Sequence, residues 1–146
     1  MTIQQSVGTA LAFSADTPAT FDQAGFAALT FTPVGKLQGI PDLDGKYDIV
    51  TGDDLTSGEE YKQAGMFRSG DGEFDVILDD DDAGQNAIYD ARGQRGSFEI
   101  TLKNGTKFYR TAIILSMMPT GLSPDSFVMA KVAVAFDRST VRVLAA

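Results

Sequence analysis

The chain has no cysteine, no histidine and no tryptophan. Without cysteine there is no disulfide, no thiolate metal site and no cysteine nucleophile. Without histidine the commonest general base and the commonest zinc ligand are missing, and with them any Ser-His-Asp or Cys-His arrangement. Long apolar runs are absent as well: none is longer than six residues, far short of a bilayer span. The N-terminus, Met1-Thr2-Ile3-Gln4-Gln5-Ser6, carries no basic side chain and leads into no apolar core, so it does not read as a secretory signal. A soluble intracellular protein with no membrane partner is expected. A chain of 146 residues suits one domain over 1–146, able to bury roughly two-thirds of its unfolded surface.

Charge is present in excess of one sign and unevenly placed. The formal net charge is −8. Residues 42–90 hold fifteen acids and three bases, whereas residues 91–146 hold three acids and eight bases. Such a split can steer like subunits together, positive face to negative face. It is also the pattern of ordinary loop solvation.

Period-2 alternation dominates the pattern. Strands are expected at 8–13, 27–36, 72–78, 97–102, 107–117, 127–136 and 140–144. Pro33 marks the second as an edge strand or a bulged one. In 72–78, Phe74, Val76 and Leu78 share a face; in 97–102, Phe98, Ile100 and Leu102 do. Asn104-Gly105 is the strongest two-residue hairpin signal in the chain. In 127–136, Val128, Ala130, Val132, Val134 and Phe136 form the expected core face, leaving Lys131 on the less apolar one. One helix is expected at about 81–92. Asp79, Asp80, Asp81 and Asp82 sit at its positive end, Arg92 lies in its last turn and Gly93 terminates it. Its apolar stripe is Ala83, Ala87, Ile88 and Ala91. The fold class is mainly β, a small sandwich or barrel with one short flanking helix.

Residues 37–65 break the pattern. They are rich in glycine and acid, with apolar residues spaced through them and no strong period. A loop this long is functional or disordered as a rule, and a disordered linker needs no apolar residues. An extended arm that packs on a neighbouring subunit accounts for both features.

The sequence holds little that would do chemistry. Asp42-x-Asp44-Gly45, with Asp48 nearby, starts like a calcium loop but lacks the terminal bidentate glutamate. The carboxylates of 79–82 splay around a helix start instead of converging. No pair among the twenty acids is marked out for glycosidic chemistry. Residues 65–72 are glycine-rich but lack the Walker lysine and the Rossmann spacing. Arg92, Arg95, Lys103, Lys107 and Arg110, with Phe108 and Tyr109 among them, form a basic patch too weak for a phosphate tracker. A non-enzymatic chain with no cofactor and no metal is expected.

The order of elements resembles the major tail tube proteins of long, non-contractile bacteriophage tails and the related tubes of gene transfer agents. The resemblance covers almost the whole chain. It rests on an early strand after a short N-terminal arm (1–7), the long 37–65 segment, and GEFDVIL before a helix that opens in acids. It continues through FEITL, an Asn-Gly-Thr turn and FYRTA leading into IILS, and closes with KVAVAF and TVRVL as a hairpin. Thr111-Ala112 stands where that family frequently has glycine. What this resemblance implies is a β-sandwich subunit, six of which close a ring whose inner strands line one lumen. Rings stack into a tube that encloses a tape-measure protein and conducts double-stranded DNA during ejection. Tail terminator and baseplate proteins would be its other partners, the virion tail its location and the host cytoplasm its place of assembly.

The resemblance makes the 37–65 segment an inter-ring loop, with Leu43, Tyr47, Ile49, Asp53, Asp54, Leu55, Glu59 and Glu60 as contact candidates. Asp79 to Asp82 are candidate interface acids, and Arg92, Arg95, Lys107 and Arg110 their basic complements. Two other expectations stand beside this one. The chain could be another tail ring protein, such as a terminator, a baseplate component or the inner tube of a contractile tail. From a different class, it could be a calcium-dependent β-rich binding module.

Overall fold

The computed structural model describes residues 7–41 and 45–144. Residues 1–6 of the expected N-terminal arm and the contact candidate Leu43 lie outside them. The elements are β1 (Ala10–Ser14), α1 (Gln23–Ala27), β2 (Thr32–Val34), β3 (Leu37–Gly39), β4 (Lys46–Asp54), β5 (Glu59–Arg68), β6 (Asp71–Ile77), α2 (Ala83–Asp90), β7 (Arg95–Thr101), β8 (Lys107–Thr120) and β9 (Met129–Val143). The mainly β expectation holds. Seven strands form one antiparallel sheet in the order β2-β1-β7-β8-β9-β6-β3, and β4 pairs only with β5.

The large sheet folds back on itself. β6 and β7 are separated by two strands in the ladder, about 14 Å if the sheet were flat. Yet Phe74 of β6 stacks on Phe98 of β7 with ring centroids 5.0 Å apart, and Phe98 meets Phe13 of β1 at 5.1 Å. Curling is possible because β8 and β9 are long and irregular, with register shifts after Tyr109 and after Ile114. The alternating faces named above meet inside: Leu11, Phe13, Phe74, Val76, Phe98, Ile100, Ile114, Ala130, Val132, Val134 and Phe136 are all buried in one core. Val128, assigned to the same face, is exposed because it precedes the strand.

Three expected elements differ. The strands at 127–136 and 140–144 are one strand, β9, whose two halves both pair with β8. It bends at Arg138, which takes a left-handed φ of 59°. The Arg138 carbonyl accepts bonds from Arg110 Nη2 (2.8 Å) and Ser69 Oγ (2.9 Å), which hold that conformation. The strand at 107–117 runs on to Thr120, so Pro119 belongs to β8; there β8 pairs only with β9 among the described residues, so a missing N–H is tolerated at its other edge. The strand at 27–36 shrinks to β2, because Asp22 starts a helix just before it. Asp22 Oδ1 accepts the Gly25 amide at 2.8 Å, and α1 buries Phe26 against Tyr109 with centroids 5.1 Å apart.

Tyr109 is also crossed by Phe31 at 5.8 Å. Burial, then the charge and hydrogen bond of Glu99, push its hydroxyl up to about 12 from 10.0. The folded chain therefore keeps this proton where the unfolded chain loses it. Its stabilising contribution is complete below pH 10 and is lost as pH rises from about 10 to about 12. Chemical denaturation across that window is expected to show a steeper loss for the wild type than for Tyr109→Phe, which cannot ionise.

The Asn-Gly signal sits where a turn was expected. Gly105 has φ 97°, and Leu102 and Thr106 bond across the turn at 2.8 Å. α2 is shorter than 81–92, and its buried face is Gly84, Gln85, Ile88 and Ala91, with Ala83 exposed. Gly84 lies so close to the Pro33 carbonyl of β2 that a Cβ would collide with it. Gln85 is buried with every polar atom used: its amide nitrogen donates to Gly35 and Ile77 carbonyls (3.0 and 2.9 Å), and its oxygen accepts the Asp79 amide (3.0 Å). Asp82 is the N-cap and also accepts the distant Gly35 amide at 2.6 Å. Asp82→Ala removes a cap and orphans that amide, an expected loss of about 2 kcal/mol. Urea unfolding should show a lower midpoint with an unchanged slope.

Candidate subunit interface

The segment over 37–65, expected as a long extended arm, holds regular strands among its described residues, and most of it is a two-stranded ribbon. β3 occupies its first residues, and β4 and β5 form a hairpin that reaches Arg68. Strands of nine and ten residues give it a reach of about 30 Å. The two strands pair with each other and share no extensive contact with any other element. The turn is built by Asp54, whose carboxylate accepts the Thr56 amide (2.9 Å) and the Ser57 hydroxyl (2.8 Å). Those two bonds, Ser57 first, hold the Asp54 carboxyl below its ordinary range.

Register decides which side chains share a face. Tyr47 is opposite Phe67, Ile49 opposite Ala64, Thr51 opposite Lys62 and Asp53 opposite Glu60. Val50 opposite Gln63, Gly52 opposite Tyr61 and Asp54 opposite Glu59 lie on the other face. Tyr47, Ile49, Val50, Tyr61 and Met66 are exposed, and Leu55 at the turn is 96% exposed. The described candidates Tyr47, Ile49, Asp53, Asp54, Leu55, Glu59 and Glu60 are thus brought together on one projecting arm. Its base is fastened by the Arg68–Asp48 ion pair and by Tyr47 meeting Phe67 edge-on at 5.1 Å.

The other candidates scatter. Asp82 is turned inward as the cap. Asp79 accepts the Asp81 amide at 3.0 Å, and the Asp80 carbonyl accepts Asn86 Nδ2 at 2.9 Å, so this run mainly shapes the start of α2. Arg110, expected on the basic surface, is fully buried, its guanidinium 4.4 Å above the Phe136 ring. It cannot meet a partner protein. Arg95 pairs with Asp137 at 2.8 Å and Lys107 with Glu99 at 3.8 Å. Arg92 lies over the Tyr89 ring at 3.7 Å and Arg138 over Phe21 at 3.8 Å.

Three further surfaces went unread in the sequence. Residues 115–120 of β8 and 141–143 of β9 each lack a ladder partner on one edge among the described residues. Leu115, Met118, Leu122, Phe127 and Val128 are exposed around the β8–β9 connection. On the solvent face of the sheet, Asp71, Glu73 and Asp75 of β6 stand beside Ala135, Ala133 and Lys131 of β9. Lys131 reaches Glu73 at 3.9 Å. Alternation along 71–77 carries this stripe opposite the core face of Phe74 and Val76.

Among the described residues no three acids converge to hold a metal ion, and no helix is long and apolar enough to cross a membrane.

No family model matches the chain, and no curated protein does. Solved structures do. A chain from the sheath/tube terminator of an extracellular contractile injection system (PVC, extended state) superposes with a TM-score of 0.66 at 11% identity, covering 99% of both chains. A chain from the six-fold symmetrised baseplate of the anti-feeding prophage gives 0.62 at 9% identity, covering 98% of this chain and 97% of the other. One from the tube-terminating cap of the same prophage gives 0.60 at 15% identity, covering 99% and 95%. At these identities the likeness is one of fold, a phage tail tube-like fold. It is not specific to the non-contractile tail tube family that the sequence resembles.

Proposed function

We propose that this chain is a structural, non-enzymatic subunit of a phage-like tail or contractile injection device, closing rings with copies of itself and stacking them through the β4–β5 arm. The observation that carries the reading is the arm: a ribbon of exposed apolar residues with no extensive contact to its own body, on a fold shared end to end with chains of tube terminators, caps and baseplates. A six-membered ring is the symmetry that the resemblance implies. Ring closure would cover the open edges of β8 and β9, which otherwise invite uncontrolled pairing. An arm that meets a different surface on its neighbour makes a heterologous contact, whose natural product is an open-ended stack.

In such a ring the stripe of Asp71, Glu73 and Asp75 would line the channel. Carboxylates there repel phosphates, so DNA would pass without the counterion release that binding brings. A tape-measure protein in the lumen, terminator and baseplate proteins at the ends, assembly in the host cytoplasm and residence in the virion tail all follow from this reading. A single-ring role as terminator, cap or baseplate part is the second reading, favoured by the likeness to chains from those assemblies.

Negative-stain electron microscopy with sedimentation velocity over a range of concentrations tests both. Hollow tubes with six-fold end views are expected of a tube subunit. Isolated rings would move the assignment to the second reading. Monomers at every concentration, also when capped rings of a partner tail are supplied, would overturn the proposal.

A further inference from the structure

We infer that the β4–β5 ribbon is clasped on both faces at once, by two different copies of this chain. The inference rests on the self-assembly proposed above and goes beyond it in saying how the arm is held. An antiparallel pair that lies on one surface has an apolar face and a solvated one, and alternates cleanly. This ribbon does not. Tyr47 and Ile49 are exposed on one face, and Val50 and Tyr61 on the other. A two-stranded hairpin is marginal in water without cover, and one partner surface would leave half of these side chains wet.

Charge identifies the occupant as a second copy. The register sets Asp53 opposite Glu60 and Asp54 opposite Glu59, two like-charged cross-strand pairs that disfavour the isolated tip. Lys62, 3.7 Å from Glu60, is the cation that the ribbon itself supplies there. The body of the same chain carries the complement. Arg92, Lys103, Arg138 and Arg142 are exposed, and none has a carboxylate partner among the described residues.

Size argues for two copies instead of one. A ribbon is roughly 10 Å by 10 Å in section. A groove of the body, between Val7, Leu37, Ile40, Pro41, Ile100 and Leu102, is about 630 Å³. It would admit only about two residues' length of ribbon. That groove alone cannot hold the arm, and a surface on a single body leaves the arm's second face uncovered.

With no cysteine in the chain, single-cysteine variants report without background. Ile49→Cys marks one face and Val50→Cys the other, each tested for thiol reactivity and then coupled to a benzophenone photo-crosslinker. On assembly both thiols are expected to lose reactivity about tenfold or more. Cross-linked peptides from the two positions should come from separate segments, and a chain bearing both cysteines, diluted into excess wild type, should cross-link into a product of three chains. Particles in which one face stays reactive, or in which that doubly labelled chain cross-links to one other chain only, overturn the double clasp and leave self-assembly standing. Wild-type chain that stays monomeric by sedimentation overturns self-assembly, and the clasp with it.

Discussion

Replacing residues 47–67 by Asn-Gly is expected to abolish assembly while the body stays folded with nearly its full stability. Lys46 and Arg68 are directly opposite in the ladder, so a two-residue turn can close the shortened hairpin without strain. The replaced segment contributes nothing to the core, whose members come from β1, β2, β6, β7, β8, β9 and α2. What the body loses is one exposed ion pair, Arg68–Asp48, of a kind that contributes under about 1 kcal/mol. For a chain of this size that moves the melting temperature by no more than about 4 °C. What assembly loses is every exposed apolar group of the arm, Leu55 included. Circular dichroism melting and sedimentation velocity on the same sample separate the two effects. A melting temperature lowered as far as that of a core variant would mean that the arm is part of the folding unit.

This separation explains why some of the chain was legible in sequence and some was not. Where a strand has one wet face and one dry face, alternation is visible. Phe74 and Val76, Phe98 and Ile100, and Val132, Val134 and Phe136 were all readable for that reason, and all are buried. Where both faces share the same environment, alternation vanishes. Tyr109, Arg110, Thr111 and Ala112 are consecutive and all buried, because the sheet curls over β8 there and α1 covers it from the other side. Arg110 therefore looked like a surface base. The arm is the opposite case, open on both faces, so Ile49 and Val50 stand side by side without a period. Its composition set it apart from the rest of the chain, but its strands left no period to read.

Long-range contacts were the other hidden part. α1 has five residues, too few to be seen by periodicity, and it exists because Asp22 caps it and Tyr109, more than eighty positions away in sequence, receives Phe26. Gln85 similarly reads as a solvent residue until β2 and β6 bring the Gly35 and Ile77 carbonyls to its amide. Arg138 reads as a break between two strands, whereas bonds from Arg110 and Ser69 turn that break into a bend within one. The uneven placement of the two signs of charge was visible from composition. Their use was not, since Arg95 and Lys107 find their acids within the chain.

Phe98→Ala is expected to destabilise the body strongly while leaving assembly of the folded chain intact. Phe98 is fully buried where the two arms of the curled sheet meet. Its ring touches Phe13 on β1 and Phe74 on β6, at 5.1 and 5.0 Å, and Phe74 in turn meets Phe136 on β9 at 6.2 Å. Truncation leaves a void bounded by three strands that backbone ladders hold apart, so the site can collapse only partly. The cost of such a change is about 3–5 kcal/mol, against a total stability of about 5–15 kcal/mol for a domain. The melting temperature should fall by on the order of 15 °C. Phe98→Leu, which refills most of the space, should recover more than half of that loss. At a temperature where Phe98→Ala is still folded, it should assemble as the wild type does, because no interface residue has changed. The arm-truncated chain gives the reverse, full stability without assembly. If Phe98→Ala failed to assemble while fully folded, the curl of the sheet would have to be set by the packing of this ring, and the open edges of β8 and β9 would be misaligned without it.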